Sequence, residues 1–378
     1  MSDTESSTGI IGTRVLGEDF RFTQVANLGW SAGTFDFSES GRMPISGENL
    51  WVVPGFVDAH VHLGWTDFSE DDRKRRSPEE LQRLISQNLH STLTAGFTGA
   101  RDAGGLSKTW IGRANNGELP SPTISGSIDC ITAASAQEAG GIERATERVL
   151  SNGASWVKLI ATDGISSPSS SLNSHFSASQ IRSVVNIATQ SGCRVMVHAW
   201  GGEAITWAIE AGASSIEHGI FLDDDQARAA AESEVTFVPT LCIYRKVYDM
   251  ITLGSLPSFL HDRVKHIVDV HPRAVRTAME HGVKIAVGTD FGSVEQHGSN
   301  ADELLALLDA GLSPKELLQA ATTNGAELLD CRCRTSFLLK ERMPADAVIF
   351  ARNPLESATY ADPHAIAAVV KTGRVVTV

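Results

Sequence analysis

The chain reads as α/β: a (β/α)8 TIM-type barrel with a small β-sandwich domain formed by both chain ends. Three observations predict this. Short apolar runs alternate with longer amphipathic segments through the middle of the chain, which implies parallel strands joined by helices. There are eight such runs, enough to close a ring whose strand ends carry the chemistry. The two ends of the chain show a different, weakly alternating pattern. An open doubly wound sheet would want a Gly-rich turn after the first strand, and Ala59-His60-Val61-His62 stands there instead.

The apolar runs fall near Trp51–Val57, Phe97–Ala100, Thr123–Ile128, Trp156–Ala161, Arg194–Val197, Ser214–Ile216, Thr236–Val238 and Val283–Val287. Helix starts lie between them. Ser77-Pro78-Glu79-Glu80, Ser177-Ala178-Ser179-Gln180 and Ser313-Pro314-Lys315-Glu316 each fit a capping box. Pro78 and Pro314 take the first helical position, where a missing N–H costs nothing. Residues 1–53 are rich in Gly and Ser. Residues 339–378 hold two more strand-like runs, Ala347–Phe350 and Ala368–Val378. These ends are expected to meet beside a barrel of residues 54–338. The Ser-rich stretch Ser166–Ser174 is expected to be a loop near the site.

Composition narrows the function. The 378 residues are 42% hydrophobic and 20% charged, with a formal net charge of −13. An acidic surface disfavours nucleic acid and anionic membranes as partners. No apolar run is long enough to span a bilayer, and Met1 to Gly9 lack the features of a signal peptide. The cytoplasm is the expected location, with a small-molecule substrate and a monomer or homo-oligomer as the working form. The five cysteines, Cys130, Cys193, Cys242, Cys331 and Cys333, are scattered and read as free thiols; the Cys331-x-Cys333 pair has no second pair to complete a metal site.

His60 and His62 are two apart at the end of an apolar run, so both rings project from one strand face. Alone, that pattern also fits ordinary partly buried histidines. His198, His218 and Asp290 each end a separate predicted strand, on the rim where barrels build their sites. Lys158 lies inside Trp156-Val157-Lys158-Leu159-Ile160-Ala161, where an unpaired ammonium is costly. It is read either as salt-bridged to a carboxylate or as converted to a carbamate that bridges two cations.

Several segments carry a specific likeness. They are Pro54-Gly55-Phe56-Val57-Asp58-Ala59-His60-Val61-His62-Leu63, Ala95–Asp102, Gly153–Thr162, Val197-His198-Ala199, Ser215–Gly219, Val238–Leu241 and Gly288-Thr289-Asp290. In these the chain resembles the amidohydrolase superfamily, from about Leu50 to Leu329. Within it the chain resembles the branch of Xaa-Pro dipeptidases (prolidases) and imidazolonepropionase-like enzymes. The resemblance implies two divalent metal ions, zinc by preference. His60, His62 and Asp290 would hold one, His198 and His218 the other. Lys158, as N6-carboxylysine, would bridge them. It implies hydrolysis of an amide-type C–N bond by a metal-bridging hydroxide, with Asp290 moving the proton.

Tyr244 resembles a family tyrosine that touches the substrate. His297 falls in the loop after the last strand, where it would line the pocket or be exposed. Peptide-cleaving members carry Thr-Gly-Gly-His where this chain has Thr132-Ala133-Ala134-Ser135, so Ser135 would replace a histidine that helps hold a carboxylate. Trp200 replaces the family's second histidine after His198 and offers a stacking surface. These changes turn the expected substrate from a strict dipeptide towards an N-acyl amino acid, a cyclic amide or an aromatic amide. Two rivals are a mononuclear zinc deaminase, which usually has a glutamate where Gly201 stands, and a catalytically silent scaffold, which typically loses ligands retained here.

Overall fold

The computed structural model describes residues 8–23, 26–37, 43–165, 167, 171–329 and 338–376. Among them, two parallel sheets alternate with helices. One holds Phe56–Val61, Phe97–Asp102 and Thr123–Gly126. The other runs Cys130–Ile131, Trp156–Ile160, Arg194–Ala199, Ser215–His218 and Thr236–Val238, in chain order. Parallel neighbours need long crossovers. Helices Pro78–Thr94, Ile142–Ser151, Ala178–Gln190, Glu203–Ala211 and Asp224–Glu232 supply them. The capping boxes at Ser77, Ser177 and Ser313 form as the sequence predicts, with Pro78 and Pro314 in the first turn.

Three predicted strands differ in extent. Trp51–Val57 divides at Gly55, where a side chain would collide with Thr98. Trp51–Pro54 joins the sheet of the chain ends, and Phe56 opens the first core strand. Thr123–Ile128 stops at Gly126 because Ile128 turns left-handed, at φ 64°. Val283–Val287 forms no ladder, only a single bridge between Ile285 and Phe237. Its backbone nevertheless links the two sheets. Ala286 N donates to Phe237 O at 2.9 Å, and Ala59 N donates to Val287 O at 2.7 Å. Just beyond, Asp290 N donates to His60 O at 2.7 Å. Gly288 lets the chain pass here, since a Cβ would strike Val238 and His60.

Both chain ends enter one eight-stranded sheet. Strand Thr8–Val15 pairs early with Ala26–Ser31 and Met43–Ser46, and late with Trp51–Pro54. Ala347–Phe350, Ile366–Lys371 and Arg374–Val376 extend it. Ile10, Trp30, Phe35, Val52, Ile349 and Val370 share its core. Cys130 and Cys242 are free thiols. Cys331 and Cys333, and residues 166 and 168–170 of the Ser-rich stretch, lie outside the described residues. No helix among the described residues is long and apolar enough to cross a membrane.

Candidate metal centre

The strand ends bring the six expected ligands together. His60 Nε2 and His62 Nε2 each lie 3.3 Å from Asp290 Oδ1. Lys158 Nζ lies 3.2 Å from His60 Nε2, so the lysine points into the same cluster. The His218 ring centroid is 5.0 Å from that of His60 and 4.4 Å from that of His198. His218 Nδ1 is 4.0 Å from Asp290 Oδ2. Register explains the gathering. Lys158 and His198 stand on adjacent parallel strands, and His198 pairs with Ile160, two residues beyond Lys158. Ala199 in turn pairs with His218.

Outer partners fix the rings. His62 Nδ1 donates to Gly104 O at 2.8 Å, which leaves the Nε2 lone pair facing Asp290 and the cluster. His198 Nε2 donates to Asp163 O at 3.3 Å, leaving the Nδ1 lone pair unprotonated. His60 Nδ1 lies 2.5 Å from Glu217 Oε2, and His218 Nδ1 lies 2.8 Å from Thr240 Oγ1. His218, Thr240 and Asp290 all have left-handed backbones, at φ 69°, 54° and 56°. Such conformations persist only where the surroundings enforce them, and they gather at functional sites.

The electrostatics suit a cation. Burial, then the charge on Lys158, pushes His198 down to about 3. Burial and His198 hold His218 well below the ordinary imidazole range. Burial likewise draws Lys158 down from the ordinary ammonium range. It acts upward on Asp290, but His60, His62 and His218 outweigh it and hold that carboxyl well below its usual range. Imidazoles around a carboxylate are a donor set that a divalent ion such as zinc accepts. His60, His62 and Asp290 already meet as a metal-sized group.

Two charged residues that the sequence analysis left unassigned support this group. Glu217 lies between His60 and Arg101, whose Nη2 donates to Oε1 at 2.9 Å. Ser215 Oγ also donates to that oxygen. Burial pushes Glu217 up, but Arg101, His60 and Lys158 outweigh it and bring it to about 2. Arg101 donates to Ala59 O at 2.5 Å and lies 4.5 Å over the Trp156 ring. The local signal was slight: each charge directly follows a predicted apolar run, Phe97–Ala100 for Arg101 and Ser214–Ile216 for Glu217. Trp65 was also missed. It stacks on His62 with centroids 3.8 Å apart and planes 6° apart.

Tyr244 and Trp200 do reach the site. The Tyr244 ring is 6.2 Å from His218 and 5.9 Å from Trp200, edge-on to both. Trp200 is 6.4 Å from His198. Burial and then the Asp290 charge push the Tyr244 phenol well above its ordinary range, so it stays a donor. His297 is not brought to the cluster. It is buried edge-on against Phe291, with Nδ1 3.3 Å from Thr92 Oγ1. Ser135 has its hydroxyl committed to a capping box with Thr132 at the start of helix Ala133–Ala139.

The parallel α/β core and its cluster match an amidohydrolase, which sets the class: a hydrolase acting on carbon–nitrogen bonds. The model of the amidohydrolase family matches residues 51–376, and the chain belongs to that family. It is 28% identical to an uncharacterized protein of Mycobacterium tuberculosis, covering 80% of each chain. It is 25% identical to an ochratoxinase of Aspergillus niger, over 85% of this chain and 75% of that one. The A. niger ochratoxinase crystal structure superposes with TM-score 0.83 at 22% identity, covering 98% of this chain and 96% of the other. A crystal structure of a Xaa-Pro dipeptidase with methionine in its active site gives TM-score 0.87 at 24% identity, covering 99% and 100%. These structural likenesses concern the fold.

Proposed function

We propose that the two parallel sheets and the linking segment 283–291 make one (β/α)8 barrel, with the halves of the end sheet folded beside it as a small sandwich. Its rim holds two divalent ions, zinc by preference, for hydrolysis of an amide-type bond in a small cytoplasmic substrate. One observation carries this reading: six side chains from five separate segments converge on one largely buried spot.

His60, His62 and Asp290 would hold one ion, and His198 and His218 the other. Lys158 would hold both as N6-carboxylysine. Burial favours its neutral amine, which adds carbon dioxide and releases a proton to form a carbamate. When bound, two such ions lower the pKa of a water and polarise the scissile carbonyl. Asp290 Oδ2, on the side towards His218, takes the proton and returns it to the leaving nitrogen. The Tyr244 phenol donates to the substrate carbonyl or carboxylate. The Trp200 face packs an aromatic or apolar substituent.

An N-acyl or aromatic amide is favoured over a free dipeptide. Ser135, at the position where a cation-capable histidine was expected, is occupied in capping its helix. The likeness to an ochratoxinase supports the same choice.

The test is turnover of N-acyl amino acids, dipeptides and lactams by zinc-loaded protein, with zinc counted per chain. Two zinc ions and cleavage of an N-acyl amide are expected. One zinc ion with release of ammonia from an aminated ring would establish the deaminase instead. Asp290→Asn should cut turnover by at least ~10³-fold with an unchanged far-UV circular dichroism spectrum. Near-normal turnover would remove Asp290 from proton transfer.

A further inference from the structure

The helix that carries Tyr244, Leu241–Thr252, starts without a cap of its own. Thr240 occupies the cap position, but its backbone is left-handed, at φ 54° and ψ 52°. Its hydroxyl lies 2.8 Å from His218 Nδ1 instead of turning to the helix. The first N–H groups of any helix need an acceptor, and here they find one elsewhere. Leu241 N donates to Glu303 Oε1 at 2.9 Å, and Cys242 N donates to Glu303 Oε2 at 2.7 Å. Glu303 belongs to a different helix, Ala301–Ala310, and is fully buried.

The start of that second helix also reaches the opposite side of the site. Asn300 Nδ2 donates to Asp58 Oδ2 at 3.0 Å. Asp58 in turn accepts from His60 N at 3.2 Å, and from Thr289 N and Oγ1 at 3.0 and 2.7 Å. One helical turn therefore touches the strand that bears His60, the turn that bears Asp290 and the helix that bears Tyr244. A buried carboxylate is costly, and apolar packing alone does not ask for one. Its two oxygens meet two backbone donors, which argues for a positioning task.

We propose that Glu303 is a positioning residue. By capping the Leu241–Thr252 helix from outside, where Thr240 does not, it sets Tyr244 beside the cluster. The assignment of Tyr244 to the substrate rests on the proposed hydrolase function; the hold of Glu303 on the helix does not. Burial pushes Glu303 up to about 8, opposed in part by the Cys242 and Leu241 N–H groups. The groups facing this region are Asp58 on the first strand, Cys242 on the capped helix, and the Lys246–Asp302 ion pair at 2.5 Å. Asp58 rises to about 6 through burial, and burial lifts the Cys242 thiol well above its ordinary range.

Glu303→Gln keeps the volume but turns a donor towards one of the two N–H groups. The variant is compared with wild type, with Tyr244→Phe and with the double variant. Zinc content, kcat, KM and the near-UV circular dichroism of the Trp200–Tyr244 pair are recorded. The expected result is kcat about tenfold lower with KM and zinc content unchanged, and an altered near-UV band. The double variant should be no slower than Tyr244→Phe, because both changes act through one group. Multiplying losses, or a wild-type kcat in Glu303→Gln, would overturn the proposal. If no amide is turned over even by wild type, the hydrolase reading fails by itself. The near-UV band then decides Glu303, and an unchanged band rejects it. Should Glu303→Gln fail to fold, Glu303→Asp, which draws the carboxyl back by one methylene from the Leu241 and Cys242 N–H groups, must alter the near-UV band; an unchanged band rejects the proposal.

Discussion

In the end sheet, Trp30, Phe35, Val52, Ile349 and Val370 pack against one another as an apolar cluster. At the rim of the parallel core, Lys158, Arg101, Glu217 and histidines 60, 62 and 218 are buried as well, beside the partly buried Asp290 and His198. The free-energy balance of the two regions differs. Burying apolar area stabilises the fold by roughly 25 cal/mol per Å². Burying charge costs stability unless each group is paired and hydrogen-bonded. The rim meets that condition only in part, because Lys158 Nζ has a ring nitrogen rather than a carboxylate at 3.2 Å. The comparison teaches that the rim is shaped for a ligand it holds, and the end sheet for stability.

The sharpest way to separate the two is Lys158→Met. If Lys158 bridges two ions as proposed, its removal should cost more than ~10³-fold in activity and leave no more than one zinc ion per chain. Yet the metal-free variant should melt above the metal-free wild type, since an apolar replacement of a buried charge is often neutral or stabilising, by about 1–4 kcal/mol. Calorimetry of both metal-free proteins measures this. A lower melting temperature in the variant would mean that Lys158 stabilises the fold, and the contrast would fail.

Much of the rim was legible because five of the expected ligands follow apolar runs and Lys158 interrupts one, and strand periodicity tells where each points. His60, His62, Lys158, His198, His218 and Asp290 all came forward that way. Their supports did not. Arg101 and Glu217 meet across 116 positions of sequence, and no local pattern foretells such a pair. Trp65 reaches His62 through the path of a loop. Glu303 has the look of an ordinary first-turn acid beside Asp302. Apolar content correctly placed Val283–Val287 next to the core, but Gly288 and the left-handed Asp290 turn its backbone out of a regular ladder.

Trp30→Ala tests the other region. Deleting a fully buried indole should destabilise the protein by about 3–5 kcal/mol. Zinc content and kcat per folded chain should not change. Denaturant unfolding and single-turnover kinetics on one preparation measure both quantities. A parallel fall in kcat would show that the end sheet shapes the rim.

A smaller effect probes the boundary of the rim itself. His297 is buried behind His62, and burial pushes it down to about 3, against an ordinary value near 6.5. The unfolded chain therefore binds a proton below pH ~6.5 that the folded chain refuses until pH ~3. Stability from this group is whole above pH ~6.5 and is lost progressively as pH falls, by about 1.4 kcal/mol per unit. His297→Gln keeps an amide for Thr92 but cannot take the proton. Its packing against Phe291 will change the absolute stability, so the slope is the useful quantity. Between pH ~6.5 and ~5 the variant should lose about 2 kcal/mol less than wild type. Equal slopes would mean that His297 takes up its proton in the folded protein, and that the water-free interior ends at the ligands rather than one layer behind them.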